Sequence, residues 1–201
     1  MTLRNLSPEE LARAYEIDFK EAFPPAELKP LYAIEAMRER GVYDPLAMFD
    51  GSGEILGYIF LWKHPDSRYI LIDYLCVPAG KRNGGIGGRL LQAAIAYYPP
   101  ETVFIGESEA PTGDPAQDEL ILRRLGFYAR NGAKTVGYDC ALFGVHYKTI
   151  CWADPVPPDD EILRKHQEIY AAQFSREKYE KYVQIPLLPG EACKELSDWI
   201  E

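Results

Sequence analysis

Between Val77 and Leu90 the chain reads Pro78-Ala79-Gly80-Lys81-Arg82-Asn83-Gly84-Gly85-Ile86-Gly87-Gly88-Arg89, with four glycines within five residues. Glycine admits positive φ and removes the side chains that would keep another molecule off the backbone. The apolar spacing of Leu90, Leu91, Ala94 and Ile95 predicts a helix directly after the cluster. The first N–H groups of a helix lack intrahelical partners and sit at the positive end of its dipole, so a phosphate is their natural ligand. The loop therefore reads as a pyrophosphate cradle, with Lys81 and Arg82 as mobile cations at its rim. Acids are the second source of chemistry. Asp73 is a lone carboxyl in the apolar run Tyr69 to Val77, and such an acid is either paired or working. Glu107 and Glu109, one residue apart at a predicted strand end, point the same way, and neighbouring carboxylates raise one another toward the range of a general base. A solvated strand end is the plainer account of the same pair.

Spacing narrows the type of cradle. A P-loop ends in Gly-Lys-Ser/Thr, but Gly87 is followed by Gly88-Arg89, which counts against a nucleotide-binding protein using this loop for ATP. A dinucleotide fingerprint counted from Gly85 meets Leu90 where the third glycine or alanine belongs. A glycine-rich turn without a ligand remains the alternative.

The elements that must position these groups follow from the pattern. Ser7-Pro8-Glu9-Glu10 starts a helix, with Ser7 as N-cap, Glu10 closing a capping box and a stripe Leu11, Tyr15, Phe19, Phe23. A second helix runs from about Pro30 to Arg40 and stops at Gly41. Leu46 to Phe49 and Ile55 to Lys63 make a hairpin about Asp50 to Glu54, and after the turn His64-Pro65-Asp66-Ser67 the strand Tyr69 to Val77 extends it into a meander. In that strand Leu71, Asp73, Leu75 and Val77 share one face. Thr102 to Gly106 is the next strand, about Gln117 to Ala129 a helix, and Lys134 to Leu142 with Val145 to Trp152 the last pair of strands. Beyond residue 153 come helices from Asp159 and from Arg176 to Val183, and Ile185 to Pro189 is an edge strand or a tail.

Composition bounds the rest. In 201 residues, 47% of them apolar, one sizeable core is the expectation. No apolar run approaches the ~20 residues that span a bilayer, and Met1 to Asn5 lacks the core of a signal peptide, so a cytoplasmic protein is expected. The charge of -9 argues against nucleic acid and membrane as partners and favours a cationic substrate such as an amine. Cys76, Cys140, Cys151 and Cys193 lack metal-site spacing, so buried free thiols are expected and no metal.

The pattern Arg-x-x-Gly-x-Gly at Arg82, Gly85 and Gly87, after Leu75-x-Val77 and before Leu90-Leu91, resembles the acetyl-CoA-binding motif of the GNAT N-acetyltransferase superfamily. Leu125-Gly126-Phe127-Tyr128-Ala129-Arg130-Asn131-Gly132 resembles the helix end at which that family places a tyrosine as general acid, although the family commonly has Gly-Phe where this chain has Gly132-Ala133. The resemblance implies an α/β fold with a mixed, mostly antiparallel central sheet flanked by helices, over a domain of residues 1–153; residues 154–201 lie outside the family's common core and read as a helical extension packed on the same domain. It implies acetyl transfer from acetyl-CoA to a primary amine of a small molecule or peptide, by a monomer or homodimer. Leu75, Cys76 and Val77 would pair with the pantetheine arm, and Lys81, Arg82, Asn83, Gly84, Gly85, Ile86, Gly87 and Gly88 would hold the diphosphate. Glu107, ahead of Glu109 or Asp73, would be the base and Tyr128 the acid. Phe23, Glu27, Tyr32, Tyr43, Tyr138, His146 and Tyr147 would lie near the acceptor. A non-catalytic acyl-CoA-binding or regulatory module on the same fold is the rival.

Overall fold

The computed structural model describes residues 1–65 and 67–195. Asp66, in the predicted turn, and the end of the predicted extension, 196–201, lie outside the described residues. The chain is built on a mixed, mostly antiparallel sheet of eight strands flanked by helices, and it divides into two compact units. The first holds Met1–Lys63 and Ile72–Thr102, and the second holds His64–Leu71 and Val103 onward.

In the first unit the strand order is β1 (Thr2–Asn5), β2 (Tyr43–Phe49), β3 (Ile55–Lys63) and, from Ile72 on, β4 (Tyr69–Cys76), with β1 and β3 antiparallel to β2. Between β1 and β2 lie the helices α1 (Pro8–Ala14), α2 (Lys20–Ala22) and α3 (Leu31–Glu39). Ser7 caps α1 by accepting from Glu10 N–H, and the Glu10 carboxylate accepts from Ser7 N–H at 2.8 Å, the capping box expected from the sequence. The four-residue stripe does not continue as a plain α-helix. Tyr15–Phe19 form a π-turn between α1 and α2, which turns Phe19 to stack on Phe60 at 4.4 Å and meet Tyr58 and Tyr74 edge-on. β2 and β3 are buried along nearly their whole length, as strands covered on both faces must be. β1 was not evident in the sequence; as an edge strand it keeps exposed residues, and Arg4 lies 3.8 Å over the Phe49 ring. The glycine loop leads from β4 into α4 (Ile86–Tyr97), which buries Leu90, Leu91 and Ala94.

In the second unit the order is β5 (Val103–Glu109), β7 (Val145–Trp152), β6 (Lys134–Leu142), β8 (Val183–Leu187), every neighbour antiparallel. α5 (Pro115–Arg130) starts at an Asp114 cap, and α6 (Asp159–Ala171) and α7 (Arg176–Tyr182) precede β8. The segment after residue 153 is thus not purely helical. It returns a strand to the sheet beside β6, and residues on either side of 153 share one unit. All four cysteines are free thiols, three of them buried. Among the described residues no helix is long and apolar enough to cross a membrane.

The Arg4 guanidinium and the Ser7 N–H hold the Glu10 carboxyl down at about 2 from an ordinary 4.5. A depressed acid contributes stability above its unfolded pKa and loses it as pH falls through the folded one. The stability gap between wild type and Glu10→Gln, followed by urea unfolding across pH, should be full above pH 4.5 and close as pH falls to about 2.

Candidate active site

The loop after β4 is shaped by two left-handed residues. A 3₁₀ turn at Ala79–Lys81 is followed by Asn83 and Gly85, each at φ 70°, and Gly85 caps α4 with no side chain of its own. Only such a turn lets the strand feed the helix while its first N–H groups point outward. No acid sits in the first turn of α4, residues 82–85 are exposed, and a Cβ at Gly84 would touch nothing within 4 Å. The arrangement fits a diphosphate. The cations differ from expectation. Lys81 Nζ donates to Ile55 O and pairs with Glu54, both at 2.6 Å, and Arg82 Nε donates to Val77 O at 2.9 Å. They fasten the loop to β3 and β4 rather than floating at its rim. Leu75 and Val77 are half-buried, and burial pushes the buried Cys76 thiol up to about 12, so it remains a thiol.

Asp73, in the same unit, is fully compensated. Lys29 Nζ donates to Oδ1 and Tyr43 O–H to Oδ2, and the Lys29 and Asp73 side chains are 2% and 5% exposed. The ammonium also lies 5.0 Å from the Trp62 ring and 5.4 Å from that of Tyr74. Tyr74 O–H donates to Glu27 O while accepting from Lys29 N–H, each at 2.8 Å, so the segment between α2 and α3 is pinned to β4. Burial, reinforced by Asp73, raises the Tyr43 hydroxyl well above its ordinary pKa, so it stays a donor.

In the second unit Glu107 meets a different set of donors. Its Oε1 is 2.7 Å from His166 Nε2, and Tyr170 O–H donates to both carboxylate oxygens at 3.1 Å. The other imidazole nitrogen, Nδ1, is 3.0 Å from the Tyr138 hydroxyl. His166 is wholly buried, whereas the Glu107 side chain keeps 11% of its surface in solvent. Cys140 Sγ completes a group with His166 and Glu107 whose polar atoms lie within 4.8 Å. Burial, with Glu107 nearby, holds that thiol far above its usual pKa. Glu109, two residues on in β5, pairs instead with Arg124 at 2.8 Å.

Residues 9–127 match a family model described as the acetyltransferase (GNAT) family. The chain belongs to this family. A Bacteroides thetaiotaomicron protein assigned to the GNAT family superposes with a TM-score of 0.71 at 18% identity, over 88% of this chain and 100% of that one. A spermidine N-acetyltransferase from Vibrio cholerae, in complex with CoA and spermine, gives 0.56 at 10% identity, over 75% of this chain and 94% of that one. A chimera of the Vibrio cholerae enzyme and hSSAT gives 0.57 at 11%, over 77% and 98%. No curated protein sequence matches the chain. Its activity is that of the family, N-acetyl transfer from acetyl-CoA.

Against the GNAT pattern the remaining residues fall as follows. Tyr128, near the end of α5, is half-buried with its ring edge-on to Phe127 and to Trp152, the latter at 5.7 Å. Gly106 makes room for that tryptophan: a Cβ there would come within 2.9 Å of its ring. Trp152 Nε1 in turn donates to Asn131 O, which anchors the end of α5. Among the described residues the Tyr128 hydroxyl has no hydrogen-bond partner, and burial raises its pKa while Arg124 opposes. Tyr32 is 66% exposed, Phe23 packs on Phe19 and Tyr74, and His146 is bound to Asp139 at 2.9 Å beside Lys148. Burial works against the Asp139 charge, but hydrogen bonds from Lys148 and His146 prevail and lower its pKa. Tyr147 stands opposite Glu109 in the β5–β7 ladder.

Three partners escaped the sequence reading. Lys29, between Leu28 and Pro30, carries no pattern that marks it. His166 and Tyr170 continue the buried stripe of α6 from Ile162 at four-residue steps, and an ionisable residue on such a stripe was the available signal. Removing one partner of a buried ion pair costs about 3–5 kcal/mol, whereas an apolar pair of similar size is often tolerated. Lys29→Met should therefore lower stability by that order in denaturant unfolding, and Lys29→Met with Asp73→Leu should recover at least half of the loss.

Proposed function

We propose that this N-acetyltransferase acts on a small cationic primary amine, with the amides of Arg82 to Gly88 holding the CoA diphosphate. Glu107 accepts the ammonium proton, and Tyr128 returns one to the departing thiolate. The observation that carries the reading is the start of α4: a helix N-terminus free of acids, exposed at Gly84 and Gly85, with both neighbouring cations tied down so that the backbone is left to meet the anion. Proton transfer is needed at both ends because an ammonium has no lone pair and a thiolate leaves better with a donor at hand. Glu107 suits the first role because it alone of the three candidate acids meets no Lys or Arg partner among the described residues, Asp73 being neutralised by Lys29 and Glu109 by Arg124. Asp73 accordingly serves to hold the chain before α3. Tyr128 suits the second role because its hydroxyl is uncommitted and its raised pKa keeps it protonated. The surplus of negative charge favours a cationic acceptor, and the Vibrio cholerae neighbour was solved with spermine, which makes polyamines the first amines to try.

Gly84 tests the cradle cleanly because a side chain there meets no neighbour. Gly84→Asp should weaken acetyl-CoA binding about tenfold or more in calorimetry by bringing a like charge to the diphosphate, with an unchanged melting temperature, while Gly84→Ala stays near wild type. If both variants bind as the wild type does, the diphosphate lies elsewhere. In CoA release assays over a panel of amines, Tyr128→Phe should lower turnover about 10²-fold while acetyl-CoA affinity is kept. Equal turnover would remove Tyr128 from the mechanism.

A further inference from the structure

We propose that His166, from the helix α6 that lies beyond the family-matched region, is a positioning residue that assigns the proton-accepting role to one oxygen of Glu107, Oε2. The inference rests on the reading of Glu107 as the base. It starts from the satisfaction of a buried imidazole. His166 has no solvent exposure, and each ring nitrogen has one partner, Tyr138 at Nδ1 and Glu107 Oε1 at Nε2. Tyr138 is a phenol that burial, with Cys140 and Glu107 close by, keeps protonated. A carboxylate oxygen only accepts, so the contact with Oε1 places the ring proton on Nε2, and Nδ1 is left to accept from the Tyr138 O–H. Oε1 thus holds a strong donor at 2.7 Å, while Oε2 receives only the longer, shared Tyr170 hydrogen bond. When the acceptor ammonium gives up its proton, the N–H bond breaks and the new O–H bond forms at Oε2, with its electron pair left on the amine nitrogen.

The relay also fixes aim. A free glutamate samples several rotamers, whereas a catalytic group must be held within about 0.5 Å of its working position. Here the carboxylate is held between a histidine and a tyrosine one helical turn apart on α6, and the histidine is held by β6. Among the described residues the groups beside the pair are Tyr170 on α6, Tyr138 and Cys140 on β6, and Thr149 on β7, which stands opposite Glu107 in register and donates to Cys140 Sγ; Asp159 on α6 acts on Tyr138. The segment after residue 153 thereby supports the base.

The test combines kinetics with the ring itself. His166→Phe removes both hydrogen bonds, and kcat should fall about tenfold or more with the KM for acetyl-CoA within about twofold. His166→Gln can still donate from its Nε2 and should restore most of the loss. The acid limb of the pH profile should move in His166→Phe and in Tyr138→Phe, a change that loss of packing alone would not produce. With three histidines in the chain, imidazole nitrogen NMR of the wild-type protein can be assigned through variants of His64 and His146. It should show the His166 ring proton on Nε2, and the signal should move in Glu107→Gln. Wild-type kcat and pH profile in both His166 variants, or an Nε2 without its proton, would overturn the proposal. So would stoichiometric zinc in the purified protein, because an ion at these side chains would separate Oε1 from Nε2. If Glu107→Gln keeps full turnover, the base assignment fails instead, and the NMR result still decides how His166 is bound.

Discussion

A carboxylate withdrawn from water must be met by donors, and the way two acids of this chain meet that demand separates scaffold from chemistry. Asp73 is matched by a full positive charge and a phenol, both buried, so its charge is cancelled and its oxygens are filled. Such an acid holds structure together: through Lys29 and the Tyr74 hydroxyl, the loop before α3 is bound to β4. Glu107 is matched instead by an imidazole and a phenol and keeps a small opening to solvent. Neither of these donors is a lysine or an arginine.

The glycine loop obeys a parallel logic in backbone. The left-handed turns at Asn83 and Gly85 end the strand and start the helix, and no side chain caps the first amides of α4. Lys81, Arg82 and Arg89 are spent on carbonyls of Ile55, Val77 and Gly84, which stiffens the loop in the shape that an anion needs. Pre-organisation of this kind lowers the ordering cost of any binding at the loop.

Much of the architecture was open to reading from the chain alone. The Ser7 to Glu10 cap, the helix ends at Gly41 and Asn131, the hairpin from β2 to β3 and the β6–β7 pair all arise from local signals that tertiary packing did not override. β1 and β8 were missed or left open for the same reason as each other: a short edge strand has little alternation of its own and exists because a neighbour offers its ladder. The π-turn at Tyr15–Phe19 was likewise invisible, since it is the aromatic cluster about Phe60 that decides where Phe19 must point.

By itself the sequence determined the glycine turn between strand and helix and the candidate acids, because spacing along a strand, a turn and a helix is a local property. Only the tertiary structure decided which acid meets a lysine and which meets an imidazole. Lys29 lies 44 residues from Asp73, and His166 lies 59 from Glu107. A pKa or a hydrogen bond depends on separations of a few ångströms in space, and no pattern along the chain encodes which distant donor will fill a given carboxylate oxygen.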